Sequence, residues 1–313
     1  MALAEAGYSN TCGGPISLLS CGISSRLETL WDEDGGDSDF RMAQSFAPLV
    51  QHLADGLDIR LHSVVVRIQQ VDGDYPVEVE TQTSQGRKIF RAKHVIVTVP
   101  VAVLKIAAKE RIIFEPPLHE DKLEAIESIG IRSALKIVMR FKTRFWPSDL
   151  HGMICADCLV PEFWIKNVGH LEDADGVPLS DDCTTASGFT LVGFASSTFA
   201  NELMNLTQAQ TVQVFLDQLN RIFSNENNQV PATDAFTGGV VFDWDKVPFI
   251  RGGYSFPSIF ENVDTRRILG RSEYNETLHF AGEATDYDHA FMTVHSAIRT
   301  GARAANAVKS SFQ

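Results

Sequence analysis

The apolar positions of this chain change period from one segment to the next. In FAPLVQHLADG, Phe46, Leu49, Val50 and Leu53 fall at helical spacing, and Gly56 supplies a stop. IRLHSVVVRIQQV, YPVEVETQT, RKIFRA and HVIVTVP follow as runs rich in β-branched residues and predict strands. HVIVTVP is apolar almost throughout before its proline, the pattern of a strand covered on both faces in the middle of a sheet. A helical stripe returns in LHEDKLEAIESIG through Leu118, Lys122, Leu123, Ile126 and Ile129, ended by Gly130. ALKIVMRF, FTLVGFAS and GGVVFDW predict further strands. TQAQTVQVFLDQLNRIF predicts a helix with Thr207 as N-cap and Val212, Phe215, Leu216 and Leu219 on one face. Near the start, ISLLSCGISSRLETLW predicts a helix, and segments 148–185 and 224–237 read as long polar loops.

The segment LHFAGEATDYDHAFMTVHSAIRTGARAANAV, residues 278–308, combines both periods. LHFAG is a short apolar strand, Gly282 allows a tight turn, and Val294, Ala297, Ile298, Gly301, Ala302 and Ala305 keep helical spacing. A helix N-terminus aimed at the end of a buried strand offers unpaired N–H groups that suit a phosphate or a polarised ring carbonyl. Glu283 at the turn can accept a sugar-type hydroxyl. The same residues equally suit a small-residue helix packed on a sheet with a solvated glutamate, so the pattern nominates a site without naming its ligand.

Composition narrows the classes. With 313 residues, 44% of them apolar, the chain can bury one large core or two cores. Its formal net charge of −13 argues against broad nucleic-acid affinity and favours cationic partners. Ten of the 40 acidic residues fall in two runs, DEDGGDSD at 32–39 and LEDADGVPLSDD at 171–182, that read as surface loops. Five cysteines do not suggest a disulfide framework and fit a reducing compartment, cytoplasm or nucleus. MALAEAGYSN lacks a signal-peptide pattern, and no apolar run has the length of a membrane span. CADC, Cys155 to Cys158, has no second pair to complete a zinc site and reads as unliganded thiols, while DADG at 173–176 reads as a turn.

The pattern F-A-G-E-x-T, T-V-H-x-A, G-x-R-A-A in the last segment resembles the closing FAD-binding motif of the flavin amine oxidases, which include polyamine oxidases, monoamine oxidases and lysine-specific histone demethylases. Other segments resemble that family in the same order: WDED at 31–34, LADGLDIRLHSVVVRI, HVIVTVPVAVLK, IRSALKIVMRFKTRFW and WDKVPFIRGGYSF. The resemblance implies a mixed α/β and α+β fold. An incomplete, Rossmann-like FAD-binding part would comprise 37–132 and 263–313, and a mixed-sheet substrate domain 1–36 and 133–262. It implies oxidation of an amine, a polyamine or a methylated lysine, to an imine with release of hydrogen peroxide.

Site residues follow from the same resemblance. Lys136 matches the lysine that reaches the flavin through water, and Tyr254 the tyrosine that walls the aromatic cage. Val65 matches an adenine-contacting valine, Thr98 and Pro100 the strand end beside the flavin, and Trp244 and Phe249 two aromatic positions near its ring. Gly282, Glu283, Thr293 and Val294 match one rim of the FAD site, with Thr293 standing where some relatives carry the second cage aromatic. Gly253 occupies the place of the cysteine that binds FAD covalently in monoamine oxidases, so non-covalent FAD is implied. His295 is expected to be structural.

Two departures accompany the resemblance. The family's G-x-G-x-x-G motif does not occur in these residues, and Gln44 and Ser45 replace a glycine pair expected before the helix FAPLVQHLA. Three readings stay open: a fragment or mispredicted product of an oxidase, a chain completed by another chain, or a flavin-free interaction module. Self-association, a covering partner, or refilling by the N-terminal segment is expected wherever sheet is left uncovered.

Overall fold

The computed structural model describes residues 1–33, 45–106, 111–166 and 188–312. Its strands in chain order are β1 (Val64–Gln70), β2 (Val77–Thr83), β3 (Gly86–Ala92), β4 (Val95–Val97), β5 (Ile113–Glu115), β6 (Gly130–Ile131), β7 (Ala134–Phe141), β8 (Gly152–Ile154), β9 (Glu162–Lys166), β10 (Phe189–Ser196), β11 (Phe236–Asp243), β12 (Ser255–Phe256) and β13 (Leu278–Phe280). The chain divides into two compact units: Met1–Leu19 with Ile131–Phe256, and Ser20–Gly130 with Pro257–Gln313.

The first unit is built on an antiparallel sheet in the order β11-β7-β10-β9-β8. Alternation along β7 separates its faces. Leu135, Ile137, Met139 and Phe141 are buried in the main core, whereas Lys136 and Arg140 point to the other side and are exposed. Helix Gln208–Phe223 covers the core face. Its capping box at Thr207 and Gln210 is present, and Val212, Phe215, Leu216 and Leu219 are all buried as their spacing predicts. Each such side chain contributes roughly 1.5–3 kcal/mol of hydrophobic stabilisation. Gly193 of β10 permits the close approach, since a Cβ there would lie 2.7 Å from both Phe215 and Val160.

Two segments read as loops are partly structured. Residues 148–166 contain β8 and β9, because the alternation in EFWIK buries Phe163 and Ile165 on the core side even though the strand is short. Within 224–237, Pro231–Ala235 forms a helix whose Ala232 and Thr233 N–H groups donate to Asn220 Oδ1 at 2.9 and 3.2 Å. The N-terminal residues also belong to this unit. Asn10, fully buried, accepts the Ser196 N–H at 2.8 Å through Oδ1 and donates to Glu162 Oε2 at 3.1 Å through Nδ2.

The second unit contains a four-stranded sheet, β3-β2-β1-β5, and a separate parallel pair, β13 and β4. HVIVTVP therefore does not supply a central strand. Only three of its residues pair, β13 is the neighbour of β4 among the described residues, and Ile96 stays 37% exposed. Helix Ala47–Ala54 forms where periodicity predicts it, and the Ser45 hydroxyl accepts the Ala47 N–H at 3.2 Å. Its apolar face is nevertheless not buried: Phe46, Val50 and Leu53 are each more than half exposed. Spacing determines that a face exists, and only an opposing surface can bury it.

The first long helix runs over Cys21–Glu33 rather than from Ile16, since Ile16–Leu18 is a separate 3-10 turn following Pro15. Leu27 of this helix is buried against Ala290 and Phe291. Helix Glu120–Ser128 turns Lys122 inward. Lys122 is completely buried and donates to the carbonyls of Ile268, Leu269 and Arg271 at the C-terminal end of helix Thr265–Gly270, with the Phe280 ring 4.1 Å from Nζ. Among the described residues no helix is long and apolar enough to cross a membrane. DADG, Cys183 and Gln44 lie outside the described residues.

Candidate functional site

The residues expected to act fall into two groups, one in each unit. In the second unit, β4 and β13 run parallel, with Leu278, His279 and Phe280 opposite Val95, Ile96 and Val97. Their carboxyl ends therefore emerge side by side, and the Ala281 N–H donates to the Val97 carbonyl at 3.0 Å. This register brings Thr98 and Pro100 to the same edge as Gly282 and Glu283. Carboxyl ends of parallel strands are where open α/β sheets receive ligands.

The turn after β13 is fixed by its helix. Gly282 adopts φ +133°, which favours glycine, and a Cβ there would meet nothing within 4 Å, so the backbone borders open space. Thr300, nearly fully buried, accepts the Gly282 N–H at 3.0 Å, and its hydroxyl lies 3.1 Å from the Gly282 carbonyl. Glu283 Oε2 accepts the Met292 N–H at 3.1 Å, so one carboxylate oxygen ties the turn to the approach of helix Val294–Ser310.

Thr293 is the N-cap of that helix. Its hydroxyl accepts the Ser296 N–H at 3.2 Å, in a capping box with Ser296. The Val294 and His295 N–H groups have no acceptor among the described residues, and the Val294 side chain is exposed. These two donors, with the open space at Gly282, fit a polarised carbonyl or phosphate oxygen of a flavin nucleotide. Val65 is placed elsewhere in the unit, in β1 opposite Thr81. A cavity of about 370 Å³ in this unit, lined by Ile23, Arg26, Leu30, Val263, Asp286 and Phe291 among others, involves none of the expected residues.

In the first unit, Lys136 occupies the solvent-facing side of β7 between two aromatic neighbours, Phe194 on β10 and Phe242 on β11. Trp164 of β9 stacks on Phe194 with ring centroids 5.7 Å apart, and its ring lies 6.0 Å from Lys136 Nζ. The lysine thus stands on an aromatic surface, where a cation is attracted to ring faces. Trp244 follows β11 directly, in a 3-10 turn held by Asp243, whose side chain accepts the Asp245 N–H at 3.1 Å. Ser133 anchors the same turn, donating to Asp245 Oδ2 at 2.6 Å.

Phe249 is exposed and adopts φ +68° in the tight loop that leads to Tyr254. The Tyr254 hydroxyl donates to the Thr11 carbonyl. Its ring lies against Gly13, where φ is +77° and a Cβ would come within 3.0 Å of Tyr254 Cε2. Trp164, Thr300 and Gly13 were not singled out by sequence reasoning. Thr300 alone carried a signal, because with Ser296 and Ala304 it forms a buried i, i+4, i+8 stripe in which two members are polar.

Residues 7–309 match the sequence profile of the family described as flavin containing amine oxidoreductase. The chain belongs to that family. It is 30% identical over 281 residues to polyamine oxidase 4 of Oryza sativa subsp. japonica, covering 88% of this chain and 50% of the relative. It is 31% identical over 268 residues to lysine-specific histone demethylase 1B of Mus musculus, covering 85% and 29%. Among solved structures, cyclohexylamine oxidase from Brevibacterium oxydans superposes with a TM-score of 0.73 at 17% identity, over 100% of this chain and 64% of that one. Putrescine oxidase bound to putrescine gives 0.70 at 18%, over 98% and 64%. The fold is thus the mixed α/β and α+β architecture of the amine oxidases, and the chain spans about half or less of the curated relatives it matches.

Proposed function

We propose that this chain forms part of a flavin-dependent amine oxidase acting on a polyamine or a methylated lysine. The observation that carries the reading is the position of Lys136, presented on an aromatic sheet face by Phe194, Phe242 and Trp164 within a chain of this family. FAD, when bound, supplies the hydride acceptor for amine oxidation. Val294 and His295 N–H groups, Gly282, Glu283, Thr98 and Pro100 would hold it non-covalently, with Val65 at the adenine and Trp244 and Phe249 near the ring. Lys136 supplies a cation or proton donor where negative charge develops, and Tyr254 orients the neutral amine with its ring face. The cofactor side is assigned to 37–132 and 263–313, the substrate side to 1–36 and 133–262.

A second reading is favoured by a specific observation: the sequence contains no G-x-G-x-x-G, and the apolar face of helix Ala47–Ala54 is exposed. It makes the chain a flavin-free interaction module that self-associates or binds a partner. Absorbance separates the two. The oxidase reading expects a flavin band near ~450 nm in the purified chain or after FAD is added, with amine-dependent peroxide release that Lys136→Met abolishes. A chain that takes up no flavin overturns it.

A further inference from the structure

The cavity of about 370 Å³ in the second unit is lined by residues other than those assigned to flavin and amine. Its apolar wall comes from Ile23 and Leu30 on helix Cys21–Glu33, from Val263 and from Phe291. Ile23 and Leu30 pack on the buried cluster of Leu27, Ala290 and Phe291, so this wall is continuous with a packed core. Val263, in contrast, is 65% exposed and opens the cavity to solvent. A few hundred Å³ of mostly apolar space with a small number of fixed polar groups is the pattern of a small-molecule site.

The polar groups of the cavity divide into those held in pairs and one that is not. Arg266, almost fully buried, donates to Glu261 from Nε to Oε2 at 2.9 Å and from Nη2 to Oε1 at 3.1 Å, and its guanidinium lies 3.4 Å from the centre of the Phe291 ring. Glu261 Oε1 also accepts the Ser258 N–H at 2.9 Å. Asp286, equally buried, accepts Arg299 Nη2 at 3.2 Å through Oδ2 and the His289 N–H at 3.2 Å through Oδ1. Both carboxylates that line the cavity are therefore already matched by a guanidinium. Arg26 differs. It is exposed, its Nη2 donates to the neutral Tyr287 carbonyl at 3.0 Å, and among the described residues it has no carboxylate partner. That one bond fixes the guanidinium at the cavity and leaves the rest of its planar fork of N–H donors for a ligand.

We propose that this cavity binds a small organic carboxylate with an apolar body, held by Arg26 at its charged end and by Ile23, Leu30, Val263 and Phe291 along its length. Charge selects the ligand's sign. An amine would meet carboxylates already matched by Arg266 and Arg299, with the Arg26 cation beside it, whereas a carboxylate pairs with Arg26 through two parallel N–H bonds. The apolar body is equally necessary. A formal net charge of −13 repels a bare anion from the chain as a whole, so contact with the apolar wall has to supply much of the attraction. The site uses no flavin and no residue of the amine face, and it stands whether or not the amine-oxidase reading holds.

The test is isothermal titration calorimetry of the purified full chain without FAD, with phenylbutanoate as the probe and phenylbutanol and inorganic phosphate as controls. Phenylbutanoate is expected to bind saturably with a Kd below about 1 mM, and the alcohol and phosphate at least about ten-fold more weakly. Arg26→Gln is expected to weaken binding of the acid about ten-fold and to leave the alcohol unchanged. Arg26→Lys, which keeps the charge without the fork, is expected to restore part of that loss. Val263→Glu, at an exposed position, is expected to abolish binding by setting a like charge at the opening. A titration that does not saturate by about 10 mM, or equal affinity in the parent and Arg26→Gln, overturns the proposal. Equal affinity for acid and alcohol overturns it as well, since Arg26 then recognises nothing, and phosphate bound as tightly as the acid removes the apolar body.

Discussion

The Thr300 hydroxyl lies within hydrogen-bond distance of both the N–H and the carbonyl of Gly282, 3.0 and 3.1 Å away. One side chain of helix Val294–Ser310 thereby fixes the turn at the end of β13, although the two residues are separated by most of that helix's approach. The contact explains how Gly282 holds φ +133° with no neighbour near its missing Cβ.

Thr300→Val preserves shape but leaves the Gly282 N–H without its acceptor. A fully buried donor left unpaired costs about 1–3 kcal/mol, and this N–H is part-buried, so that range is the upper bound. Urea denaturation is expected to show a loss within that bound. Thr300→Ser, which keeps the hydroxyl, is expected to lose less; equal losses for the two variants would refute the hydrogen-bond account.

Asn10 anchors the N-terminal residues in the first unit through Ser196 and Glu162. Asn10→Ala removes the acceptor of the buried Ser196 N–H, at a cost of about 1–3 kcal/mol. Limited proteolysis is expected to cut residues 1–14 faster in the variant, with the parent protected there. Unchanged cleavage would show that this contact does not hold the segment.

Lys122 gives the second unit a pH dependence. Burial, the largest cause, pulls its ammonium down to about 7, with Glu273 opposing the shift. The unfolded chain then binds this proton more tightly than the folded one. Its contribution to stability therefore rises as pH climbs from about 7 toward the unfolded value of about 10.4, and is constant below that window. Lys122→Met is expected to remove that rise while leaving the Ile268, Leu269 and Arg271 carbonyls without their donor. Denaturation midpoints at pH 7 and pH 9.5 decide it, since parallel changes in parent and variant would exclude Lys122 as the source.

The apolar face of helix Ala47–Ala54 supports association. Val50 and Leu53 are 60% and 52% exposed. Light scattering is expected to give a mass above that of a monomer, and Val50→Lys with Leu53→Lys is expected to lower it. A monodisperse parent monomer would count against this.

Much of the local structure was legible in the residues. The helix at 47–54, the Thr207 N-cap and the strand ALKIVMRF are all short-range patterns that neighbouring residues specify. Family membership was legible too, because it rests on ordered motifs across the chain. Strands β8 and β9 were missed since three and five residues are too few to show a period; β9 persists through pairing with distant β10, and β8 through pairing with β9.

Sequence by itself determined which faces exist and to which family the chain belongs. Only tertiary structure decided which faces are covered, and it left helix Ala47–Ala54 bare while burying Lys122 completely. It also decided that Thr98 and Gly282 emerge side by side, through the parallel register of β4 and β13, and that Asp286 meets Arg299. The reason is physical: periodicity is a property of neighbouring residues, whereas burial, strand register and charge proximity belong to pairs that only the folded chain brings together.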